Sequence, residues 1–248
     1  MLGRVRLAAR AFKNWPLILL DRAGLLRRPY VLSTRTGLEV EVRPRTGDRF
    51  TAWETFARNV YFSQRQRLKP GQTVVDVGAN IGCFTLLAAR LVGPKGRVVA
   101  FEPDPNNLTR LQRNIALNQL KNVTVLPNAV GDRTASVDLF GGGSSLFPSL
   151  FDKVDDRQDP TLRGKVSMIA LADALEMCQI ARVDYLKLDC EGAEHLIFST
   201  LSPETARCID QITMEVHKVP GYENDDLMNR LINLGYSLNR GDLFYFRR

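Results

Sequence analysis

The sequence is poor in the residues that build cross-linked or zinc-ribbon proteins. Its 248 residues include four cysteines, Cys83, Cys178, Cys190 and Cys208, with no CxxC pair. A zinc ribbon and a disulfide scaffold are therefore excluded. Their mostly apolar neighbours suit free thiols in a reducing compartment, so a cytoplasmic protein is expected. Histidine is scarcer still, with only His195 and His217. No apolar run approaches the roughly 20 residues that span a bilayer. The longest near the start, residues 15–20, is stopped by Asp21 and Arg22, and is too short for a secretory leader. Repeats and low-complexity tracts are absent. Hydrophobic residues make up 44% and charged residues 25%, an ordinary globular balance that excludes disorder as the main state. The dinucleotide fingerprint is missing too: it needs glycines at 78, 80 and 83, and Asn80 and Cys83 stand at the last two.

What is present is unevenly distributed. The net charge is +7, but residues 1–70 hold 15 Lys/Arg against 5 Asp/Glu, or +10, and residues 71–248 hold 19 against 22, or −3. Such a segment is either a solvated Arg-rich surface or a contact for an anionic partner, nucleic acid or a membrane surface. Residues 4–28 have helical spacing interrupted by Pro16. Two short strands are predicted at 30–32 and 38–42, followed by a helix from about Asp48, as its cap, to Phe62. Pro70-Gly71 marks a boundary. The expected division is a basic α+β appendage over 1–70 and a main domain over 71–248.

Beyond Gly71 strands and helices alternate. Strands are predicted at 73–77, 97–101, 123–126, 135–140, 166–169, 183–188 and 209–216, with helices at 84–92, 105–118, 171–178, 193–201 and 225–234. A hairpin over 236–246, turning at Arg240-Gly241-Asp242, closes the chain. This alternation implies an α/β fold with a parallel sheet and helices on both faces. Residues 141–165, with Gly141-Gly142-Gly143-Ser144-Ser145, read as a long loop and a candidate lid.

Five features carry chemistry. Asp76-Val77-Gly78-Ala79-Asn80-Ile81-Gly82 lies at a strand-to-helix junction, where glycines allow a tight turn and close ligand approach. Glu102-Pro103-Asp104 ends the next strand, where an acid can hydrogen-bond both hydroxyls of a ribose. Asn128-Ala129-Val130-Gly131-Asp132 follows the third strand, and Asn128, ahead of Asp132, suits a nucleobase edge. In Lys187-Leu188-Asp189-Cys190-Glu191-Gly192-Ala193-Glu194, Lys187 and Asp189 are two apart and share a strand face. Glu215 and His217 share a face in the same way. If their strands are neighbours, Lys187, Asp189, Glu215 and His217 converge, for proton transfer or, through Asp189, Glu215 and His217, for a hard divalent cation. No metal is assigned at this point. His195, on a helix, is expected to be structural or exposed.

Four of these, residues 76–82, Glu102-Pro103, residues 187–194 and Glu215-Val216-His217, in this order over about residues 70–220, resemble the FkbM family of S-adenosylmethionine-dependent methyltransferases. The resemblance implies a Rossmann-like class I methyltransferase fold, with a mostly parallel seven-stranded sheet whose last strands form an antiparallel edge. It implies that Asp76, Gly78, Asn80, Gly82 and Glu102 bind S-adenosylmethionine, and that the acceptor is a hydroxyl on a sugar or other small molecule. Leu171-Ala172-Asp173 departs from a Leu-Asp-Asp type segment common in the family, and residues 1–70 lie outside the recognised core. Methyl transfer to an alcohol then needs a base, Asp189 or His217, tuned by Lys187 and Glu215. Rival readings are an RNA acceptor held by the +10 segment, though no RRM or KH signature is present, a glycolipid acceptor approached through peripheral membrane contact of residues 4–28, and a cofactor-binding module without catalysis.

Overall fold

The computed structural model describes residues 2–62, 67–141, 148–155, 157–158, 161–241 and 243–248. The chain opens with α1 (Leu2–Ala11) and α2 (Pro16–Arg22). Pro16 starts α2, at the position where its missing N–H is harmless. The strands β1 (Tyr30–Ser33) and β2 (Glu39–Val42) pair antiparallel. The helix expected over 48–62 is shorter. It comprises α3 (Asp48–Trp53) and one π-helical turn over Glu54–Arg58, and it is stopped by Asn59 in the left-handed region at φ 57°. Asp48 does not cap it; Gly47 holds that position. The buried Asp48 carboxylate instead pairs with the Arg43 guanidinium at 2.8 Å and accepts the Arg43 backbone N–H at 2.9 Å.

The main sheet follows the predicted alternation. Its elements begin with β3 (Thr73–Val77), α4 (Cys83–Val92), β4 (Arg97–Phe101), α5 (Pro105–Leu117) and β5 (Val123–Leu126). Then come β6 (Asn128–Gly131), β7 (Ala135–Phe140), the two-residue pair β8 (Lys153–Val154) and β9 (Arg157–Gln158), β10 (Leu162–Ala170) and α6 (Leu171–Met177). The chain continues through β11 (Tyr185–Leu188), α7 (Ala193–Thr200), α8 (Pro203–Arg207), β12 (Gln211–Met214) and α9 (Asn224–Asn233), and closes with the hairpin β13 (Ser237–Arg240) and β14 (Phe244–Arg247). Seven strands pair in the order β13-β14-β12-β11-β3-β4-β5. The five from β12 to β5 are parallel, and β14 runs antiparallel to both its neighbours. This is the Rossmann-like arrangement that the resemblance implied, a mostly parallel seven-stranded sheet with an antiparallel edge. From β3 the chain builds outward through β4 and β5, then returns to add β11 on the other side. That makes β3/β11 the switch point where α/β sheets bind ligands.

Other sequence expectations change as well. Asn128–Gly131, expected only to follow the third strand, is itself a strand of a second sheet, β6-β10-β7; Ala129 and Val130 are buried there, and Gly131 lies against the Met168 side chain. The loop expected over 141–165 is interrupted by β8 and β9 and ends earlier, at Leu162. Its residues 142–147 fall outside the described set, as does Asp242 of the final turn. Helix α8 was not anticipated.

Buried Val75, Val77, Leu186, Leu188 and Ile212 of the central strands form the main core. The N-terminal segment is built into the molecule: Phe12, Leu32, Leu38, Val40, Val42 and Ala52 share one buried cluster with Ile81, Cys83 and Leu86 at the start of α4. Part of its basic excess is consumed internally, by Arg43 on Asp48, Arg49 on Asp21 and Arg45 on the Gly24 carbonyl. Among the described residues no helix is long and apolar enough to cross a membrane.

Candidate functional site

A cavity of about 410 Å³ opens at the carboxyl ends of β3, β4, β11 and β12, within the roughly 300–1,000 Å³ typical of small-molecule sites. Its floor is the turn after β3. Gly78 sits at φ +74°, and a Cβ there would collide with the Asp189 backbone carbonyl. Only glycine lets these two strand ends approach so closely and leave the floor bare. Asn80 is also left-handed, at φ 52°, and its side-chain oxygen accepts the Ile81 N–H at 2.7 Å. Gly82, at φ +93°, lies against Leu111.

Glu102 closes one end. Its Oε2 accepts the Asn80 N–H at 2.7 Å and its Oε1 the Asp104 N–H at 2.9 Å. Burial pushes its carboxyl up to about 7 against the pull of these two donors. Each carboxylate oxygen retains a further acceptor position. Asn128 lines the same end, and its Nδ2 donates to Ser167 at 3.1 Å. Asp132 is not among the lining residues; it pairs with Arg133.

The opposite end holds the charged group expected from the fourth and fifth motifs. Strands β11 and β12 are neighbours in register Leu188↔Met214, which brings Lys187, Asp189, Glu215 and His217 to one wall of the cavity. Lys187 Nζ lies 3.1 Å from Asp76, 2.8 Å from the Gly78 carbonyl oxygen and 3.9 Å from Asp189. Burial opposes its charge, but Asp76 and Asp189 outweigh it and hold the ammonium above its usual range. Glu215 is pushed up to about 8, first by the Asp189 charge and then by burial. The His217 ring is engaged on both nitrogens: Nδ1 lies 3.1 Å from Glu194 and Nε2 3.4 Å from Glu191. Burial disfavours its charge, but Glu194, Glu191 and Asp189 together raise it to about 10. His195 is buried and pairs through Nε2 with the His217 carbonyl at 2.9 Å, a structural role.

Two residues expected at the cofactor do not line the cavity. Asp76 is fully buried beneath it, held by Lys187 and by the Thr85 hydroxyl at 2.5 Å. Gly82 is the N-cap of α4. Both shape the turn from below.

The remaining walls come from the N-terminal segment, in which sequence reasoning found no chemistry, and from the expected lid. Phe50, Thr51, Glu54 and Tyr61 bring the N-terminal segment into the cavity. Tyr61 donates to Asp189 Oδ2 at 3.0 Å and lies 5.4 Å from the Lys187 ammonium, ring centroid to Nζ. The backbone carbonyls of Val60 and Tyr61 accept from the Tyr245 and Tyr185 hydroxyls. No periodicity or motif marks Tyr61, because its role depends on a contact 128 positions away. On the far side, Pro148, Ser149, Leu150 and Asp155, from the part of the expected lid that is described, face the cavity. Ser149 donates to the Glu191 carbonyl at 2.6 Å, and Asp155 exchanges two hydrogen bonds with Lys218.

Comparison with known proteins agrees with this architecture. The family model described as the methyltransferase FkbM domain matches residues 76–238. Methyltransferase 1 of Beauveria bassiana is 32% identical over 161 residues, 58% of this chain and 64% of that protein. The 31-O-demethyl-FK506 methyltransferase FkbM of Streptomyces tacrolimicus is 27% identical over 193 residues, 68% of this chain and 74% of that one. The crystal structure of methyltransferase FkbM from Methylobacillus flagellatus superposes with a TM-score of 0.52 at 17% identity, over 100% of this chain and 58% of the other. The chain thus spans less than two thirds of the Beauveria and Methylobacillus proteins. With 163 of its 248 residues under the family model and the four motifs meeting in one cavity, the chain belongs to the methyltransferase FkbM family.

Proposed function

We propose that the protein transfers a methyl group from S-adenosylmethionine to a hydroxyl of a small-molecule acceptor such as a sugar. The observation that carries this reading is the placement of Glu102 and Asp189 in one cavity across the β3/β11 switch point. The residues fit the cofactor. Gly78 leaves the floor free of side chains, and Glu102 is a buried carboxylate fixed by two backbone donors with acceptor positions to spare for ribose hydroxyls. Asn128 and the Ala129–Val130 wall lie at the base end. When bound, the cofactor supplies a methyl carbon already activated by its sulfonium.

The chain's task is then to hold an alcohol in line and take its proton. Alignment alone can be worth several kcal/mol, and a positioned base about 10²–10⁴-fold more. Asp189 is the base that the geometry favours. It is 21% exposed and aimed into the cavity, and it is steadied by Tyr61 and Lys187. His217 Nδ1 is held by Glu194 at 3.1 Å and Nε2 faces the carboxylate of Glu191 at 3.4 Å, so the ring is turned to the acids of this wall. Lys187 lies between Asp76 and the Gly78 carbonyl and fixes the spacing of β3 and β11 at the reacting end. Phe50, Thr51, Glu54 and Tyr61 bound the acceptor side. The Streptomyces relative, a 31-O-demethyl-FK506 methyltransferase, supports a hydroxyl on a small molecule as the acceptor class.

The test is a methyl-release assay on a panel of sugars, polyketides and lipids, run on the wild type and on Asp189→Asn, with calorimetric titration of S-adenosylmethionine into both. Transfer to at least one hydroxylated acceptor is expected, lost in the variant while cofactor binding persists. Full turnover by the variant would remove Asp189 from this role. A wild type that binds no nucleoside would end the reading altogether.

A further inference from the structure

Three carboxylates, Asp189, Glu191 and Glu215, line the acceptor end of the cavity, with Glu194 and Asp76 buried behind them. The positive groups facing them are Lys187 and the His217 ring, so negative charge is in excess even with both counted as cations. Crowded acids are common on protein surfaces. What distinguishes this group is its histidine. His217 Nδ1 faces Glu194 Oε1 at 3.1 Å. Glu194 is fully buried, and its second oxygen has no hydrogen-bond partner among the described residues. That carboxylate orients the ring so that Nε2 faces the carboxylates of Glu191 at 3.4 Å and Glu215 at 3.8 Å. A buried carboxylate on the far nitrogen is the arrangement that fixes the tautomer and orientation of a metal-bound imidazole.

Asp189, Glu215 and His217 each offer one ligand atom, and the three atoms lie within 4.8 Å of one another. An octahedral ion with bonds of roughly 2.0–2.1 Å places opposite ligands about 4 Å apart. Small side-chain torsions close the set, and Glu215, 49% exposed, is free to make them. Two carboxylates and one imidazole favour a hard ion over a soft one. The ion takes the place of the protons on His217 Nε2 and Glu215, which leave to solvent, while Nδ1 keeps its proton toward Glu194.

We propose that Asp189, Glu215 and His217 form a site for a hard divalent cation of the Mg²⁺/Mn²⁺ class, whose open positions take two adjacent oxygens of the acceptor. Occupancy of the site stands on its own geometry; the acceptor's role rests on the methyl-transfer reading. A carboxylate has about four lone-pair sites, so Asp189 can serve an ion and still accept a proton. The acceptor class narrows to vicinal diols and α-hydroxy carbonyl compounds, which can chelate.

The test is a titration of the full chain with Mn²⁺, reading the loss of the free-ion paramagnetic resonance signal, with Mg²⁺ competition and a separate calorimetric titration of S-adenosylmethionine. One ion per chain is expected. Glu215→Gln should weaken it, and Glu194→Gln, which leaves all three ligands in place, should cost about 10–100-fold in affinity. Glu215 is surface-accessible, so its variant keeps the fold, which circular dichroism verifies. Absence of saturable binding up to the roughly 10⁻³ M at which weak carboxylate sites fill, or equal affinity in wild type and Glu215→Gln, would overturn the site. Water-proton relaxation on the Mn²⁺-loaded protein then reads the open positions. A vicinal diol should lower the enhancement and its monodeoxy analogue should not; equal responses would overturn chelation. Cation binding lost with nucleoside binding intact sinks this site alone, whereas the reverse sinks the methyl-transfer reading and leaves the site.

Discussion

Tyr61 donates its hydroxyl proton to Asp189 at 3.0 Å, joining the end of the N-terminal segment to the tip of β11. Burial, and next the Asp189 charge, raise the phenol well above its ordinary range, so it stays a donor throughout neutral pH. The ring packs edge-on to Phe84 with centroids 5.1 Å apart. Tyr61→Phe should therefore fold normally and lose only a hydrogen bond to a charged group, worth about 1.5–3 kcal/mol. In steady-state kinetics kcat should fall roughly 10–100-fold, the rate equivalent of that energy, with the KM for S-adenosylmethionine little changed. An unchanged kcat would mean that Asp189 needs no such support.

Glu102 makes cofactor binding sensitive to pH. Its carboxyl titrates at about 7 in the free protein because it is buried. Ribose hydroxyls donate protons and need the ionised form, which accepts on every lone pair. Affinity should be full above pH 7 and fall as pH drops through it, by roughly 30-fold between pH 8 and 5.5 for one ionisation at that position. Calorimetric titration of S-adenosylmethionine across this range measures it. Glu102→Gln should bind weakly with a flat profile, and a variant that kept the wild-type slope would assign the titration to another group.

Much of this site is written in local patterns. The strands 73–77, 97–101 and 123–126 are found at their predicted bounds, because short runs rich in β-branched residues between Gly, Asn or Pro breakers have few other solutions. Placing Lys187 and Asp189 on one face needed only the two-residue strand repeat, and Glu215 and His217 followed from the same rule. The misses are tertiary. Asn128–Gly131 carries no strand signal because Asn and Gly are turn formers, yet β10 supplies a partner and a strand forms. Asp48 looked like a cap because nothing local shows Arg43 folding back onto it. Tyr61 and Glu54 carried no signal, since the wall they form depends on how the segment 2–62 docks on α4 and α5.

Gly78 and Gly82 separate two uses of glycine in one motif. Both have positive φ, which an added side chain strains by about 1 kcal/mol or more. At Gly78 a Cβ also strikes the Asp189 carbonyl, a backbone atom of the neighbouring strand that cannot move alone. At Gly82 it meets Leu111 Cδ1 at 2.5 Å, the end of a flexible side chain. Gly78→Ala should abolish nucleoside binding and lower the melting temperature sharply, while Gly82→Ala should keep measurable binding. Thermal melts and calorimetry on the pair check the order, and the opposite ranking would contradict the close approach of β3 and β11.

Asn114 decides whether the N-terminal segment holds its wall in place. It is fully buried on α5. Its Oδ1 accepts the Glu41 N–H at 2.7 Å, and its Nδ2 donates to the Ile81 carbonyl at 2.8 Å and the Glu41 carbonyl at 3.2 Å. One side chain thus ties β2 to the turn that forms the cavity floor. Asn114→Ala strands the Ile81 carbonyl and the Glu41 backbone groups, at about 1–3 kcal/mol for each buried group left unpaired. Asn118 makes a similar clasp to Glu39 one helical turn later, but at a partly exposed position where water replaces it. Urea unfolding should therefore show a loss of several kcal/mol for Asn114→Ala and under about 1 kcal/mol for Asn118→Ala. Asn114→Ala should also lower kcat, because Tyr61 reaches Asp189 only while this segment stays docked. Equal midpoints for the two variants would show that the buried clasp does not hold the wall.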